Sequence, residues 1–285
     1  MNLILKIATI KLLKTNIEGS NNRQMAADIH FSIAKEKSPI VIFCHGYKGF
    51  KDWGCWNLVA DEFAKNGFNF IKFNLSHNGT TLDFPEDFVD LEAFGNNNHS
   101  KELFDLKQVV DWVYENKEFQ DKFDLDKIYL IGHSRGGGNV LLQTARDSRV
   151  KKAITWAGVS NHLARLPVNT EEWSRQGVIF QMNGRTKQNM PVYYQLFENS
   201  MQFKEDIDIE KAAKKIEVPF LIIYGKEDFV VKEEEAFNLN NWIGSSRLLA
   251  IENTGHTFDS KYPWDKKKLP EPLEKVIIES VNFLK

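Results

Sequence analysis

Residues 127–140 read KIYLIGHSRGGGNV, and this stretch decides which kind of fold the chain can adopt. Its apolar run, residues 128–131, is short enough for a buried strand, whereas residues 139–145 favour a helix. Between them, residues 132–136 (GHSRG) have the G-x-S-x-G spacing of a sharp strand-to-helix turn that exposes a serine hydroxyl. Glycine suits the two outer positions because a side chain there would collide with the tightly turning backbone. The stretch therefore predicts that Ser134 is a nucleophile.

Short apolar runs alternate with amphipathic helical patterns on both sides of this turn. The predicted strands are residues 40–44, 68–73, 128–131, 152–156, 220–224 and 247–251, and the predicted helices are residues 56–65, 101–116, 139–145, 233–242 and 273–284. This alternation predicts an α/β fold with a mostly parallel central sheet and helices on both faces. Residues 3–15 and 25–34 are predicted to add an antiparallel edge, because only a polar turn separates them.

Two segments break the alternation. Residues 80–99 are predicted to form a long polar loop. Residues 159–217 hold Trp173, a predicted hairpin of residues 178–182 and 192–197, and a predicted helix near residues 209–216. The second segment is interpreted as a small cap-like insertion at about 159–217 within a single domain of residues 1–285. It is too short for a separate core, and its flanking strands belong to the main sheet.

The composition restricts the partners of this chain. Its 285 residues include 37 basic and 39 acidic side chains, with a net charge of −2, and form no basic stripe that would indicate nucleic acid binding. No apolar stretch is long enough to span a bilayer. Lysines interrupt the apolar residues of the N-terminus, where no signal-peptide cleavage site follows. A soluble, cytoplasmic protein is expected, and its oligomeric state is left open.

Neither a structural metal nor a cofactor is predicted. The two cysteines, Cys44 and Cys55, form no C-x-x-C motif, and the histidines show no metal-binding spacing such as H-E-x-x-H. A disulfide between the two cysteines remains an alternative, although a reducing compartment is favoured.

Four predicted strands end in residue types that catalysis can use. They are followed by His45-Gly46-Tyr47, Ser134, Asp228 and His256. Because ligands of such sheets lie beyond the carboxyl ends of the strands, we expect these residues to meet at one edge. The chain order of serine, aspartate and histidine is the order expected of α/β-hydrolases.

The chain resembles the α/β-hydrolase superfamily in four motifs. They are the nucleophile motif of residues 132–136, the acid-bearing strand end of residues 220–228 (FLIIYGKED), the histidine loop of residues 254–256 and the strand end at residues 45–46. The sequence GHSRGG is most similar to dienelactone-hydrolase-like esterases and to the catalytic domain of prolyl-oligopeptidase-like peptidases. The resemblance covers residue 40 to the C-terminus except the insertion, and it implies the α/β-hydrolase fold.

The residue types predict a division of catalytic roles. A serine hydroxyl needs a neighbouring base, and His256 can accept its proton and return it to the leaving group. Asp228 is expected to orient the imidazole. The backbone N–H groups of Tyr47 and Arg135 are expected to form the oxyanion hole.

Each of these residues also has a structural alternative. Asp228 could instead cap the helix of residues 233–242, with Glu227 as the rival acid, and His256 could be an ordinary loop histidine. The Arg135 side chain could contact a substrate carboxylate or form a structural salt bridge. Two further histidines are assigned supporting positions: His133 beneath the turn, and His45 within the oxyanion loop.

The sequence thus predicts a serine esterase that forms an acyl-enzyme on Ser134. A peptidase or amidase, a thioesterase, and a non-catalytic binding protein on the same fold are alternatives. The expected partner is a small-molecule ester or peptide-like substrate. His77, Trp173 and Tyr193 are predicted to bind it, although the aromatic side chains could equally pack the insertion onto the body.

Overall fold

An eight-stranded sheet forms the centre of the computed structural model, which describes residues 10–34 and 36–285. Its strands are β1 (Leu12–Glu18), β2 (Gln24–His30), β3 (Ser38–Cys44), β4 (Asn69–Phe73), β5 (Phe123–His133), β6 (Val150–Trp156), β9 (Phe220–Gly225) and β10 (Ser246–Ile251). A separate antiparallel pair consists of β7 (Val178–Met182) and β8 (Asn189–Tyr193). The spatial order of the main sheet is β1-β2-β4-β3-β5-β6-β9-β10. The six strands β4, β3, β5, β6, β9 and β10 are parallel to one another, whereas β2 is antiparallel to both of its neighbours. This arrangement confirms the predicted mostly parallel sheet.

Helices cover both faces of this sheet. They are α1 (Trp56–Lys65), α2 (Leu91–Gly95), α3 (His99–Glu115), α4 (Arg135–Thr144), α5 (Thr170–Gln176), α6 (Gln195–Gln202), α7 (Ile209–Ala213), α8 (Glu233–Trp242) and α9 (Glu271–Leu284). Helices α3, α4, α7 and α8 pack in one apolar core, and α1 and α9 pack in the other. Strand β5 contributes Leu130 to the first core and Ile131 to the second, because successive side chains of a strand point to opposite faces. Burial on both faces explains its uninterrupted apolar sequence.

The predicted and observed elements differ mainly at the edge strand and in the insertion. Strand β1 runs from Leu12 to Glu18, and residues 3–9 of the predicted edge strand lie outside the described residues. The predicted loop of residues 80–99 contains α2. In the insertion, the second strand of the hairpin is β8, residues 189–193, rather than the predicted residues 192–197, because helix α6 begins at Gln195. Leu196 on that helix packs against Trp173 of α5, a helix that the sequence analysis did not predict.

A buried network of four charged side chains ties the segment after β3 to the sheet. The Lys51 Nζ atom lies 2.7 Å from Asp28 Oδ2 and 2.5 Å from Asp52 Oδ2. Lys72 Nζ, from β4, lies 2.6 Å from the same Asp28 oxygen and also pairs with Asp52. The two positive charges balance the two negative ones. The network therefore fixes the segment that follows Tyr47, although burying it costs desolvation free energy.

The turn between β5 and α4 lies in direct contact with the end of β3. A Cβ atom on Gly136 would lie 2.3 Å from the Cys44 carbonyl oxygen and 2.5 Å from that of His45. A Cβ atom on Gly132 would lie 2.2 Å from the Gly136 carbonyl oxygen. Both positions therefore require glycine, and this contact sets the N-terminus of α4 against the loop that carries Tyr47.

We expect Lys72→Met to lower the free energy of unfolding by about 3–5 kcal/mol, because it leaves two buried carboxylates with only one of their two counter-charges. Chemical denaturation measures the change. The matched control is Lys65→Met, since Lys65 is 53% exposed and pairs only with Glu62 on the surface. That control should cost less than about 1 kcal/mol. Equal losses for the two variants would contradict a stabilising role of the buried network.

We expect Gly136→Ala to lower the free energy of unfolding by about 3 kcal/mol, because backbone carbonyl groups must move to admit the methyl group. Gly184→Ala is the control, since a Cβ atom there has nothing within 4 Å. Thermal and denaturant unfolding of both variants tests the prediction. A Gly136→Ala protein as stable as the Gly184→Ala protein would show that the turn can relax.

Candidate active site

Ser134 occupies the turn between β5 and α4 in a strained backbone conformation. Its φ of 56° and ψ of −122° are unfavourable for a residue with a side chain. Three backbone hydrogen bonds hold it there. The Ser134 amide donates to the Trp156 carbonyl at 3.0 Å, and the Ser134 carbonyl accepts from Gly137 and Val159 at 2.9 and 3.2 Å. Such strain persists only where the surroundings impose it, and it is frequent at functional sites.

Asp228 and His256 form a hydrogen-bonded pair at the same edge of the sheet. His256 Nδ1 lies 2.7 Å from Asp228 Oδ2. The other carboxylate oxygen accepts from the amides of Val230 and Val231 at 2.8 and 2.9 Å. Burial alone would raise the pKa of Asp228, but the hydrogen bond and charge of His256, together with these amides, bring the pKa below its usual value. Because an ionised carboxylate only accepts, His256 Nδ1 is the donor of this hydrogen bond, and in the neutral imidazole Nε2 is then the acceptor.

The structural alternative for Asp228 is not observed. Helix α8 begins at Glu233, and its N-cap residue is Lys232. Glu227, the rival acid, is exposed. The Glu227 amide donates to the Thr254 carbonyl at 2.9 Å, which brings the histidine loop against the end of β9.

Ser134 and His256 both line two neighbouring cavities. The larger has a volume of about 310 Å³ and the smaller of about 180 Å³. Among the described residues, no direct hydrogen bond joins the Ser134 hydroxyl to the His256 ring. The two side chains therefore line the same cavities without a direct hydrogen bond between them.

His133 forms a hydrogen bond to the backbone of the loop that carries His256. Its Nε2 atom lies 2.9 Å from the His256 carbonyl oxygen, and the two ring centroids are 4.8 Å apart. Burial, with the neighbouring His256 charge as a second cause, lowers the pKa of His133 to about 3. His133 is therefore neutral and donates this hydrogen bond. Its position beneath the turn agrees with the predicted one.

The backbone amides of Tyr47 and Arg135 lie on either side of the serine. A Cβ atom on Gly46 would lie 2.9 Å from Ser134 Cβ and 3.4 Å from Ser134 Oγ, so the residue before Tyr47 is against the hydroxyl. Arg135 is the first residue of α4, where amides have no acceptor within the helix. Within residues 10–34 and 36–285, neither amide donates a hydrogen bond. Both are thus available to an anion that forms next to Ser134.

His45 holds the Tyr47 turn by hydrogen bonding, as the sequence predicts. Its Nδ1 atom lies 2.9 Å from the Gly46 carbonyl oxygen, and the Leu75 amide donates to its Nε2 at 3.3 Å. Burial lowers the pKa of His45. The ring is therefore the neutral tautomer that donates from Nδ1 and accepts at Nε2.

The Arg135 side chain forms a structural salt bridge. Its Nη1 atom lies 3.3 Å from Glu102 Oε1, and its guanidinium group stacks 4.1 Å from the centre of the Tyr47 ring. Glu102 also accepts hydrogen bonds from the side-chain amides of Asn97 and Asn139 at 2.6 and 2.8 Å. Burial would raise the pKa of Glu102, but the Arg135 charge and these amides lower it below its usual value. Sequence reasoning missed Glu102, whose signal is a carboxylate one helical turn before Leu106 on the apolar side of α3.

The three predicted substrate contacts need correction, because none of them lines either cavity. Trp173 is fully buried in the insertion, where its Nε1 donates to the Val192 carbonyl at 2.8 Å. The Tyr193 hydroxyl donates to Glu92 at 2.5 Å. His77 Nδ1 lies 2.7 Å from Ser76 Oγ, and burial, with the Lys101 and Arg23 charges, lowers the pKa of His77 to about 4. Trp173 and Tyr193 thus join parts of the fold to one another, whereas His77 bonds to its neighbour in the chain.

Other residues of the insertion and of the sheet edge form the cavity walls. The larger cavity is lined by Tyr47, Ser134, Arg135, Val159, Arg165, Pro167, Gln181, Val192, Leu196, Val230 and His256. The smaller one is lined by His45, Gly46, Tyr47, Lys48, Gly49, Trp53, Trp56, His133, Ser134, His256 and Thr257. No motif marks the insertion residues, because their position depends on how the insertion folds back over the sheet.

The two cysteines are free and buried, so the alternative of a disulfide is not observed. Among the described residues, no group of three or more His, Cys, Asp or Glu side chains is arranged to hold a metal ion. None of the helices in the described part of the chain combines the length and the apolar character needed to cross a membrane.

Known proteins share this architecture. The quorum-quenching protein AidA of Acinetobacter baumannii is 23% identical over 155 residues, which are 53% of this chain and 47% of AidA. Est1E from Butyrivibrio proteoclasticus superposes with a TM-score of 0.67 at 18% identity, over 95% of this chain and 97% of Est1E. Dienelactone hydrolase from Anabaena variabilis gives a TM-score of 0.63 at 17% identity, over 96% of each chain.

Five curated relatives that this chain matches are covered only in part, over 38% to 64% of their length. The solved structures share the fold at low sequence identity. The family model described as alpha/beta hydrolase fold matches residues 39–187, which are more than half of the sequence. This chain belongs to the alpha/beta hydrolase family.

Proposed function

We propose that this protein is a serine hydrolase that cleaves carboxylic esters, with Ser134, His256 and Asp228 as its catalytic triad. One observation carries the proposal. The strained Ser134 opens into the same cavities as His256, whose Nδ1 is 2.7 Å from the buried Asp228 carboxylate. Catalytic hydrogen bonds are often longer in ligand-free enzymes, so the absent contact between Ser134 and His256 is compatible with this role.

The reaction begins with an attack by Ser134 Oγ on the ester carbonyl carbon. His256 Nε2 accepts the hydroxyl proton as the new C–O bond forms. The carbonyl oxygen becomes an oxyanion between the Tyr47 and Arg135 amides. Collapse of this intermediate expels the alcohol, which takes the proton from His256 and leaves an acyl group on Ser134. A water molecule, deprotonated by His256, then attacks the acyl carbon and releases the acid and the free serine.

Asp228 acts through His256. Its charge stabilises the imidazolium that forms in each half of the reaction. Its hydrogen bond to Nδ1 holds the ring so that Nε2 is directed toward the cavity. The strained serine and the unpaired amides are in place before substrate binds. Such preorganised donors supply a large part of the catalysis in acyl transfer.

The proposal includes the domain organisation and draws on the relatives. We take residues 1–285 as one domain in which residues 159–217 form a cap, because Pro167, Gln181, Val192 and Leu196 of this segment wall the larger cavity. Est1E and dienelactone hydrolase carry esterase and hydrolase names, which favours an ester over a peptide substrate. A peptidase or amidase and a thioesterase, which would use the same groups, remain the alternatives.

We expect Ser134→Ala to abolish ester hydrolysis and Asp228→Asn to lower kcat by about 10⁴-fold, because the amide no longer fixes the imidazole tautomer. Initial rates on a short 4-nitrophenyl ester measure both effects. Glu227→Gln is the matched control, since Glu227 adjoins Asp228 but is exposed, and it should retain the wild-type rate. If Glu227→Gln were the more damaging of the two acid variants, Asp228 would not be the triad acid.

We expect the wild type to hydrolyse a 4-nitrophenyl ester with a kcat/KM at least about a hundredfold above that for an aminoacyl 4-nitroanilide, since an amide is a poorer acyl donor and needs stronger transition-state binding. A fluorophosphonate probe should label Ser134, as mass spectrometry of the modified peptide would show. Faster anilide cleavage would support the peptidase alternative. A protein that neither reacts with the probe nor hydrolyses either substrate would instead be a binding protein.

A further inference from the structure

The charged side chains that line the larger cavity are of one sign. Among the described residues, its wall includes Arg135 and Arg165 and no Asp or Glu. The remaining polar groups that reach it from other elements are Tyr47, Gln181, Ser134 and His256. A ligand that enters this space therefore meets positive charge and hydrogen-bond donors, together with an apolar surface.

Arg165 is held in place from behind. Its Nη1 atom donates to the Val230 carbonyl oxygen at 2.8 Å, and its Nη2 atom pairs with Glu235. Glu235 is itself fixed, because its Oε2 atom accepts from the Ser160 amide at 2.8 Å. Glu235 does not line the cavity, whereas Arg165 does. Since a guanidinium group has several N–H donors in a rigid plane, some of them remain for a ligand.

Arg135 has the same arrangement on the neighbouring wall. Its partner Glu102 is only 2% exposed, also bonds to Asn97 and Asn139, and does not line the cavity. The side chain of Arg135 is 12% exposed. The N-terminus of α4 adds a partial positive charge at the same place. The two arginines thus present cationic faces to one volume from two different elements.

We propose that the substrate carries a carboxylate on the part that enters this cavity, bound by Arg165 together with Arg135. This inference rests on the proposed ester hydrolysis and names its substrate class: esters with an anionic group at one end. Val159, Val192 and Leu196 accommodate the carbon chain between the ester and the carboxylate. A cationic group in this position would meet two arginines, whereas neither of their carboxylate partners lines the cavity.

Matched 4-nitrophenyl esters test the acyl side. Hexanoate is neutral, the adipate monoester has a similar chain with a terminal carboxylate, and 6-aminohexanoate has a terminal ammonium group. Charge-assisted hydrogen bonds predict a kcat/KM for adipate about tenfold above that for hexanoate, with 6-aminohexanoate the poorest. The alcohol side is tested with hexanoate esters of 3-hydroxybenzoate and 3-hydroxybenzamide. Preference for the anion in at least one series supports the inference, and preference for it in neither overturns it.

Variants separate the charge of Arg165 from its structural contacts. Arg165→Gln should lower the preference for the anionic ester about tenfold, whereas Arg165→Lys should restore part of it because the positive charge returns. Arg175→Gln is the control, since Arg175 is 75% exposed and pairs with Glu172 outside the cavity, and the preference should stay at the wild-type value. Equal preferences in Arg165→Gln and wild type would overturn the assignment of Arg165.

Failure of this inference is distinguishable from failure of the proposed function. Ester hydrolysis that depends on Ser134 but shows no preference for the anion leaves the proposed function intact and refutes the substrate class. Absence of hydrolysis of all five esters refutes the proposed function, and the substrate class falls with it. In that case, calorimetric titration of the protein with adipate and with 1,6-hexanediol shows whether the cavity still selects an anion.

Discussion

The direct contact between the turn after β5 and the end of β3 is the constraint on which the site depends. At Gly136 the backbone of α4 lies so close to the Cys44 and His45 carbonyl groups that no side chain fits. This contact places the Ser134 hydroxyl beside the turn that carries Tyr47. It also brings the start of α4, with the Arg135 amide, against the loop that carries Tyr47. One close approach of two backbones therefore positions the proposed nucleophile and both proposed oxyanion donors.

The other groups of the site are held by polar contacts that bury charge in pairs. Asp228 faces His256, Glu102 faces Arg135, and two aspartates face Lys51 and Lys72 behind the Tyr47 loop. Each pair costs desolvation, which its hydrogen bonds offset only because the geometry is good. As a result, these contacts fix loops that have no regular secondary structure. A site built on strand ends and loops needs such supports, since catalytic groups must be held within a fraction of an ångström.

The two cavities that meet at Ser134 differ in the residues of their walls. The larger cavity has guanidinium groups on its wall and their carboxylate partners behind them. The smaller is walled mainly by the Tyr47 turn, Trp53 and Trp56. An ester that reacts with Ser134 as proposed would have one part in each space. The walls, rather than the reacting groups, therefore discriminate between substrates, which is consistent with one fold serving many reactions.

The sequence by itself determined the strands, the turn and the position of each proposed reacting residue. These features depend on local patterns: an apolar run between glycines, a serine at a strand-to-helix corner, and an acid and a histidine after later strands. Only the tertiary structure decided what surrounds them. Trp173 is a residue type that often lines pockets, but here it is buried in the core of the insertion. Arg165 and Glu102 belong to no motif, yet Arg165 lines the larger cavity and Glu102 pairs with Arg135, which also lines it. Which side chains meet there depends on how residues 159–217 fold back over the sheet, and local periodicity contains no information about that long-range packing.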